Sequence, residues 1–204
     1  GPNISDNIES ILYTQAEVGE MSKMGGGTSG YFGHIRGRGE PVTDNGLAPG
    51  AVHFMKLFES VVDNISQGST RRGRFSPYLP IEHADIDEFL DIGTEGFPIQ
   101  DLTHGVTVTD KFMEEMIGGD AQKRKVWAKV IQRRGEIGYP YIMFHDTMNR
   151  NTVDVYKEKG ATIWNSNLCS EIALHNSETE SFVCVLSSMN LLHWDEWKDT
   201  DAVE

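Results

Sequence analysis

Only two cysteines, Cys169 and Cys184, occur in 204 residues. That is too few for a disulfide framework, and they lack the paired spacing of a zinc site, so no metal is expected and the expected compartment is reducing and cytoplasmic. No run of eighteen apolar residues and no basic-then-apolar leader is present, which argues against a membrane span and a signal peptide. Basic residues are scarce too: 18 Lys and Arg stand against 31 Asp and Glu, for a net charge of −13. Phosphate backbones are bound by clustered cations, so DNA is not an expected partner. Small phosphorylated ligands stay open, because helix N-termini and backbone amides hold phosphate without net positive charge. Neither an internal repeat nor a low-complexity segment appears. Gly1-Pro2 has the form of a protease-cleavage scar, and residues 3–204 are long enough for a single domain with a sizeable core.

Within that frame, strand and helix patterns alternate. Asp6 followed by Glu9 reads as a capping box opening a helix with Ile8, Ile11, Leu12, Val18 and Met21, stopped by Gly25-Gly26-Gly27. "TSGYFG" reads as a strand and residues 34–50 as a loop. Pro49 opens a second helix, whose Val52, Phe54, Met55, Leu57, Phe58, Val61, Val62 and Ile65 cover a wider arc than one buried face needs. "RFSPYLP", "GVTVT", "YPYIMFHD" and "SFVCVLSS" read as further strands. "DIDEFLDI", a segment capped by Asp110, a segment bearing Val126, Trp127, Val130 and Ile131, and residues 152–159 read as helices. Residues 199–204 look like the opening of another helix. This alternation predicts an α/β architecture with mostly parallel pairing.

Chemistry concentrates at "WNSNLCSEIA", residues 164–173. Asn167 and Glu171 flank Cys169 at i−2 and i+2, so an extended segment would turn thiol, amide and carboxylate to one face. An isolated cysteine in an intracellular protein is most often a small buried hydrophobe. A nucleophilic one needs a base, and His145, His175 and His193 are available without a local signature tying any of them to it. Cys184, inside "SFVCVLSS", reads equally as a core residue. Arg71, Arg72 and Arg74 form a charge run of the ordinary solvated kind.

"SNLCSEI" closely resembles the active-site loop of the catalytic (large) subunit of class I ribonucleotide reductases. "MSKMGGGTSGYFGHIRGRG", "SQGSTRRG" and "SFVCVLSSMNL" resemble further blocks of that family, in the same order and at similar spacing. The resemblance implies a partial ten-stranded α/β barrel: the first half-barrel plus the finger loop, with an N-terminal helix pair that dimerises as a four-helix bundle. It makes Cys169 the thiyl radical that abstracts the ribose 3′ hydrogen, Glu171 the base at the 3′ hydroxyl, and Asn167 a hydrogen-bond partner of the sugar. Those residue types suit the chemistry, since a sulfur radical exchanges hydrogen atoms, a carboxylate takes protons and an amide stabilises developing charge. Cys184 matches a reductant thiol whose partner cysteine has no counterpart among these residues. The chain is therefore expected to be a fragment or a split piece, inactive alone.

The same resemblance implies a ribonucleoside diphosphate substrate and a radical-generating, metal-containing small subunit. It also implies a thioredoxin or glutaredoxin donor, the missing pieces of the large subunit, a homodimer and a deoxynucleoside triphosphate effector, with no cofactor bound directly. Asp6 and Arg36 match effector-contacting positions. Residues 93–105 resemble the loop joining effector to substrate, represented by Gln100 and Asp101. Two other readings stay open: a non-catalytic nucleotide-sensing and dimerisation module, and an unrelated α/β enzyme with Cys169 as nucleophile.

Overall fold

The computed structural model describes residues 3–65 and 73–203. Gly1-Pro2 and residues 66–72, with Arg71 and Arg72, lie outside them. Four parallel strands form the main sheet: β1 (Gly27–Tyr31), β4 (Arg74–Pro80), β5 (Gly105–Val108) and β6 (Tyr141–Phe144), in the order β1-β4-β5-β6. The register runs Tyr31 to Tyr78, Tyr78 to Gly105 and Gly105 to Tyr141. A short antiparallel pair, β2 (Pro41–Val42) and β3 (Gly46–Leu47), sits inside the long loop after β1. Central β5 is buried along its whole length, as expected of a parallel strand covered on both faces.

Helix α1 (Ile8–Lys23) turns Ile11, Thr14, Val18 and Ser22 inward. Ile8, Leu12 and Met21, expected in the same stripe, stand about half exposed. The N-cap is Asn7, whose side chain accepts the Ser10 N–H at 2.8 Å, and not Asp6. Asp6 instead pairs with Arg36. The helix starting at Asp110 likewise takes its cap from Thr109. Both shifts have one cause: the capping residue is the last one with extended backbone, and neighbouring polar residues compete for that place.

Helix α2 (Ala51–Asn64) buries Val52, Met55, Phe58 and Val62, while Phe54, Leu57 and Val61 pack partly against the same core. Its N-terminus has no side-chain cap of its own; Asp85 comes from afar and accepts the Ala51 N–H at 2.8 Å. Phe58, on a helix expected to pair with a second copy, lies wholly inside, its ring stacked on Phe75 at 4.7 Å and edge-on to Phe32 at 5.2 Å. The crossover from β4 to β5 carries the short α3 (Ile86–Phe89), and that from β5 to β6 carries α4 (Asp110–Ile117) and α5 (Ala121–Ile137). α5 is held as much by charge as by packing: Lys129 and Arg133 reach Asp91, and Lys129 also reaches Asp87. Two further short helices, α6 (His145–Arg150) and α7 (Asp154–Lys159), precede the loop of Cys169.

The segment expected as a final strand, residues 181–188, has no regular structure. Val183, Val185 and Leu186 are more than two-thirds exposed. A strand exists only where another strand satisfies its backbone, and none of the described strands lies beside this one. Residues 191–203 form only short helical pieces, among them α8 (Trp194–Trp197) and a 3-10 turn at Asp201–Val203. Among the described residues, no helix is long and apolar enough to cross a membrane.

Candidate active site

The stretch around Cys169 is a turn rather than an extended segment. The Ser170 N–H bonds back to the Asn167 carbonyl at 3.2 Å, and Ser170 takes a φ of 66°, a left-handed conformation uncommon for a residue with a Cβ. The turn parts the three residues that an extended chain would align. Asn167 is buried, whereas Cys169 and Glu171 are exposed. The Asn167 side-chain oxygen accepts the N–H groups of Glu171 at 3.1 Å and Ile172 at 3.2 Å. It is thus the internal strut that holds thiol and carboxylate outward.

Polar neighbours on the sheet and loop pin this turn. Ser166 donates to the Ile172 carbonyl at 2.7 Å. The Asn165 amide reaches Ser29 of β1 at 3.2 Å, and Asn176 donates to Asn165 at 2.9 Å. Leu168 packs so closely on β1 that a Cβ on Gly27 would meet its Cδ2 at 2.3 Å. Gly105 similarly makes room for Tyr78: a Cβ there would stand 2.5 Å from the phenol ring. Sequence periodicity shows neither requirement, because each follows from contact between segments far apart in the chain.

Cys169 and Leu168 form part of the wall of a cavity of about 530 Å³. Gln100, Asp101, Leu102, Thr103 and His104 supply a continuous segment of that wall, and Arg74, Tyr139 and Tyr141 complete the polar lining. Gln100 and Asp101, expected on a loop joining effector to substrate, line the same cavity as Cys169. Arg74, read as an ordinary solvated charge, is exposed but also lines this cavity. Gln100 donates its side-chain amide hydrogens to the Thr94 and Phe97 carbonyls, at 2.6 and 2.7 Å. Asn167, Glu171 and Cys184 do not line the cavity, nor do Asp6 and Arg36. Those last two are joined to each other by a 2.7 Å ion pair.

Three groups near the thiol escape a reading of the sequence. His104 is fully buried just before β5, its ring edge-on to Phe89, and its Nε2 has no hydrogen-bond partner among the described residues. Burial pushes its pKa down to about 4, so the imidazole is neutral at pH 7. Burial also raises the Tyr141 phenol to about 12, helped by a hydrogen bond with Tyr139 and by the proximity of Cys169. Tyr78, pushed up by burial as well, reaches from β4 to the turn itself. None of these carries a local signal, since "THG" and "YPY" are unremarkable until the strands converge.

The arrangement offers an outward thiol, a nearby exposed carboxylate and a cavity with amide, carboxylate and guanidinium groups on its rim. Comparison with known proteins gives it a family. The family model described as "Ribonucleotide reductase, barrel domain" matches residues 2–123 and 118–203. A Frog virus 3 (isolate Goorha) protein assigned as a ribonucleoside-diphosphate reductase large subunit is 32% identical over 98% of this chain and 38% of its own length. The large subunit of the Arabidopsis thaliana ribonucleoside-diphosphate reductase is 29% identical over 91% of this chain and 28% of its own. Among solved structures, the Actinobacillus ureae class Id ribonucleotide reductase alpha subunit superposes with a TM-score of 0.88 at 53% identity, over 99% of this chain and 37% of that one. The chain thus spans well under half the length of these relatives. Its parallel sheet with covering helices is part of that barrel, and the chain belongs to the ribonucleotide reductase family, in the barrel domain of the large subunit.

Proposed function

We propose that this chain is the part of a ribonucleoside-diphosphate reductase large subunit that carries the radical cysteine, acting on ribonucleoside diphosphates to give 2′-deoxyribonucleotides. The observation that carries the reading is Cys169, exposed on a pinned turn and set in the wall of a cavity of about 530 Å³. A thiol serving only as a packing group would be buried.

In this reading a Cys169 thiyl radical takes the hydrogen atom from the ribose 3′ carbon, forming an S–H bond and leaving a carbon radical. Glu171 accepts the 3′ hydroxyl proton as the 2′ hydroxyl takes a proton from a reductant thiol and leaves as water. Glu171 later returns its proton and Cys169 its hydrogen atom to the 3′ position, and the Asn167 amide supports the sugar. Cys184 and a second thiol from outside these residues supply the two electrons and become a disulfide. A metal-containing small subunit starts the radical, and a dithiol donor of the thioredoxin or glutaredoxin kind resets the disulfide. A deoxynucleoside triphosphate at Asp6 and Arg36 acts as effector, and α1 and α2 pair two copies into a homodimer.

The test is Cys169→Ser in the complete large subunit, assayed for deoxynucleotide formation with its small subunit and a dithiol. A hydroxyl hydrogen is far harder to abstract than a thiol hydrogen, so turnover is expected to vanish while the fold persists. Normal turnover by that variant would overturn the reading.

A further inference from the structure

Glu59 is an unexpected residue on the inner side of a packing helix. It lies on α2 between core residues Phe58 and Val62 and is only 3% exposed. A carboxylate is retained in such a place only when its oxygens are satisfied. Here both are. Oε1 accepts the main-chain N–H of Gln100 at 2.7 Å and that of Asp101 at 2.9 Å. Oε2 takes the Lys56 ammonium at 2.6 Å, and Lys56 also donates to the Pro98 carbonyl at 2.6 Å. One turn of α2 therefore grips the chain at positions 98, 100 and 101.

The gripped segment belongs to the cavity. Gln100 and Asp101 begin the run through His104 that lines it together with Cys169. The side-chain amide of Gln100 closes the loop onto its own Thr94 and Phe97 carbonyls, which ties the loop to its anchor. Mere satisfaction of two N–H groups does not explain a buried carboxylate, because Gln100 and Asp101 are exposed and water is at hand for them. What water cannot supply is a fixed position. The charge is well matched: burial pushes the Glu59 carboxyl up, but Lys56 and the two N–H groups outweigh it and hold the group below its usual range. Asp63 and Asp101 lie close enough to form a carboxylate trio with Glu59, and the Asp63 carboxyl is pushed up, by burial and then by the charges of Asp101 and Glu59.

We propose that Glu59, held by Lys56, is a positioning residue for the Cys169 cavity, fixing where the Gln100–Asp101 wall stands relative to the thiol and so how tightly a ribonucleoside diphosphate is held. The inference rests on the function proposed above. In a preorganised site, displacing a wall by an ångström is enough to weaken binding many-fold.

The experiment uses the complete large subunit with its small subunit, comparing wild type with E59A and E59Q. Two quantities are read: backbone hydrogen exchange of the peptide spanning 99–102, and kcat and KM for cytidine diphosphate. E59A is expected to speed exchange in that peptide alone and to raise KM about tenfold with kcat changed far less. E59Q keeps an acceptor for both N–H groups but loses the charge that holds Lys56. Its expected effects are smaller, in the same direction, and free of the unfolding that a cavity in E59A could bring. Wild-type exchange in both variants would overturn the anchor. Faster exchange with unchanged KM would overturn the positioning role. Cys169→Ser, run alongside, separates these from failure of the functional reading: if it kept turnover, that reading would fall while the exchange result still reported on the anchor.

Discussion

Tyr78, buried in the central sheet, donates its phenolic hydrogen to the main-chain carbonyl of Asn167, 3.2 Å away. A strand thereby holds the turn that presents Cys169, from a position 89 residues earlier in the chain. The same carbonyl accepts the Ser170 N–H, so the phenol is a second support rather than the sole one.

Tyr78→Phe removes that support and keeps the ring that fills the core. The expected loss is about 1 kcal/mol, the usual net worth of one hydrogen bond. In a domain of this size that lowers the melting temperature by roughly 2–4 °C. Calorimetry checks it, and an unchanged melting temperature with unchanged exchange in residues 166–172 would show that the phenol does not hold the turn.

Gly27 and Leu168 form a second bridge from sheet to turn. Because a Cβ at position 27 would lie 2.3 Å from Leu168 Cδ2, Gly27→Ala must push the turn away from β1. Overpacking of this kind costs about 1–3 kcal/mol. Adding Leu168→Ala makes room for the new methyl, so the double variant should be more stable than the sum of the two single losses. A double-mutant cycle by urea denaturation measures that coupling, and strict additivity would contradict it.

His104 sets an acid limit on stability. Its pKa falls from 6.5 when unfolded to about 4 when buried. Below the unfolded value the unfolded chain takes up a proton that the folded chain refuses, so stability is lost as pH drops from 6.5 towards 4 and no further beneath it. The full difference corresponds to about 3 kcal/mol. His104→Phe keeps an aromatic against Phe89 and cannot titrate. Urea denaturation at pH 7 and pH 5 should therefore show a smaller acid loss in the variant, whereas parallel losses would assign the acid sensitivity elsewhere.

Association should depend on α1 rather than on Phe58. Phe58→Asp places a charge inside the aromatic cluster with Phe32 and Phe75 and is expected to unfold the chain. Leu12 and Tyr13 are 48% and 63% exposed on α1. Leu12→Asp should leave the melting temperature within about 1 °C, as surface changes do, and shift the mass seen by light scattering towards monomer. A variant with wild-type mass at every concentration would remove α1 from the proposed dimer contact.

Much of this molecule was legible one residue at a time. Alternating apolar runs marked β1, β4, β5 and β6 and the helices between them, because burial on both faces of a parallel strand leaves a local pattern. "SNLCSEI" forms its turn for an equally local reason: the Asn167 side chain caps the backbone only four and five residues on. Tertiary structure decided the rest. Whether 181–188 becomes a strand depends on a neighbour that no residue in it encodes. Whether Phe58 faces a partner or the core depends on which side of an apolar helix meets the sheet, and a stripe wider than one face is silent on that. Lys56, Glu59 and Tyr78 took their roles only when segments some 40 to 90 positions apart met, since a buried charge or phenol is defined by what surrounds it.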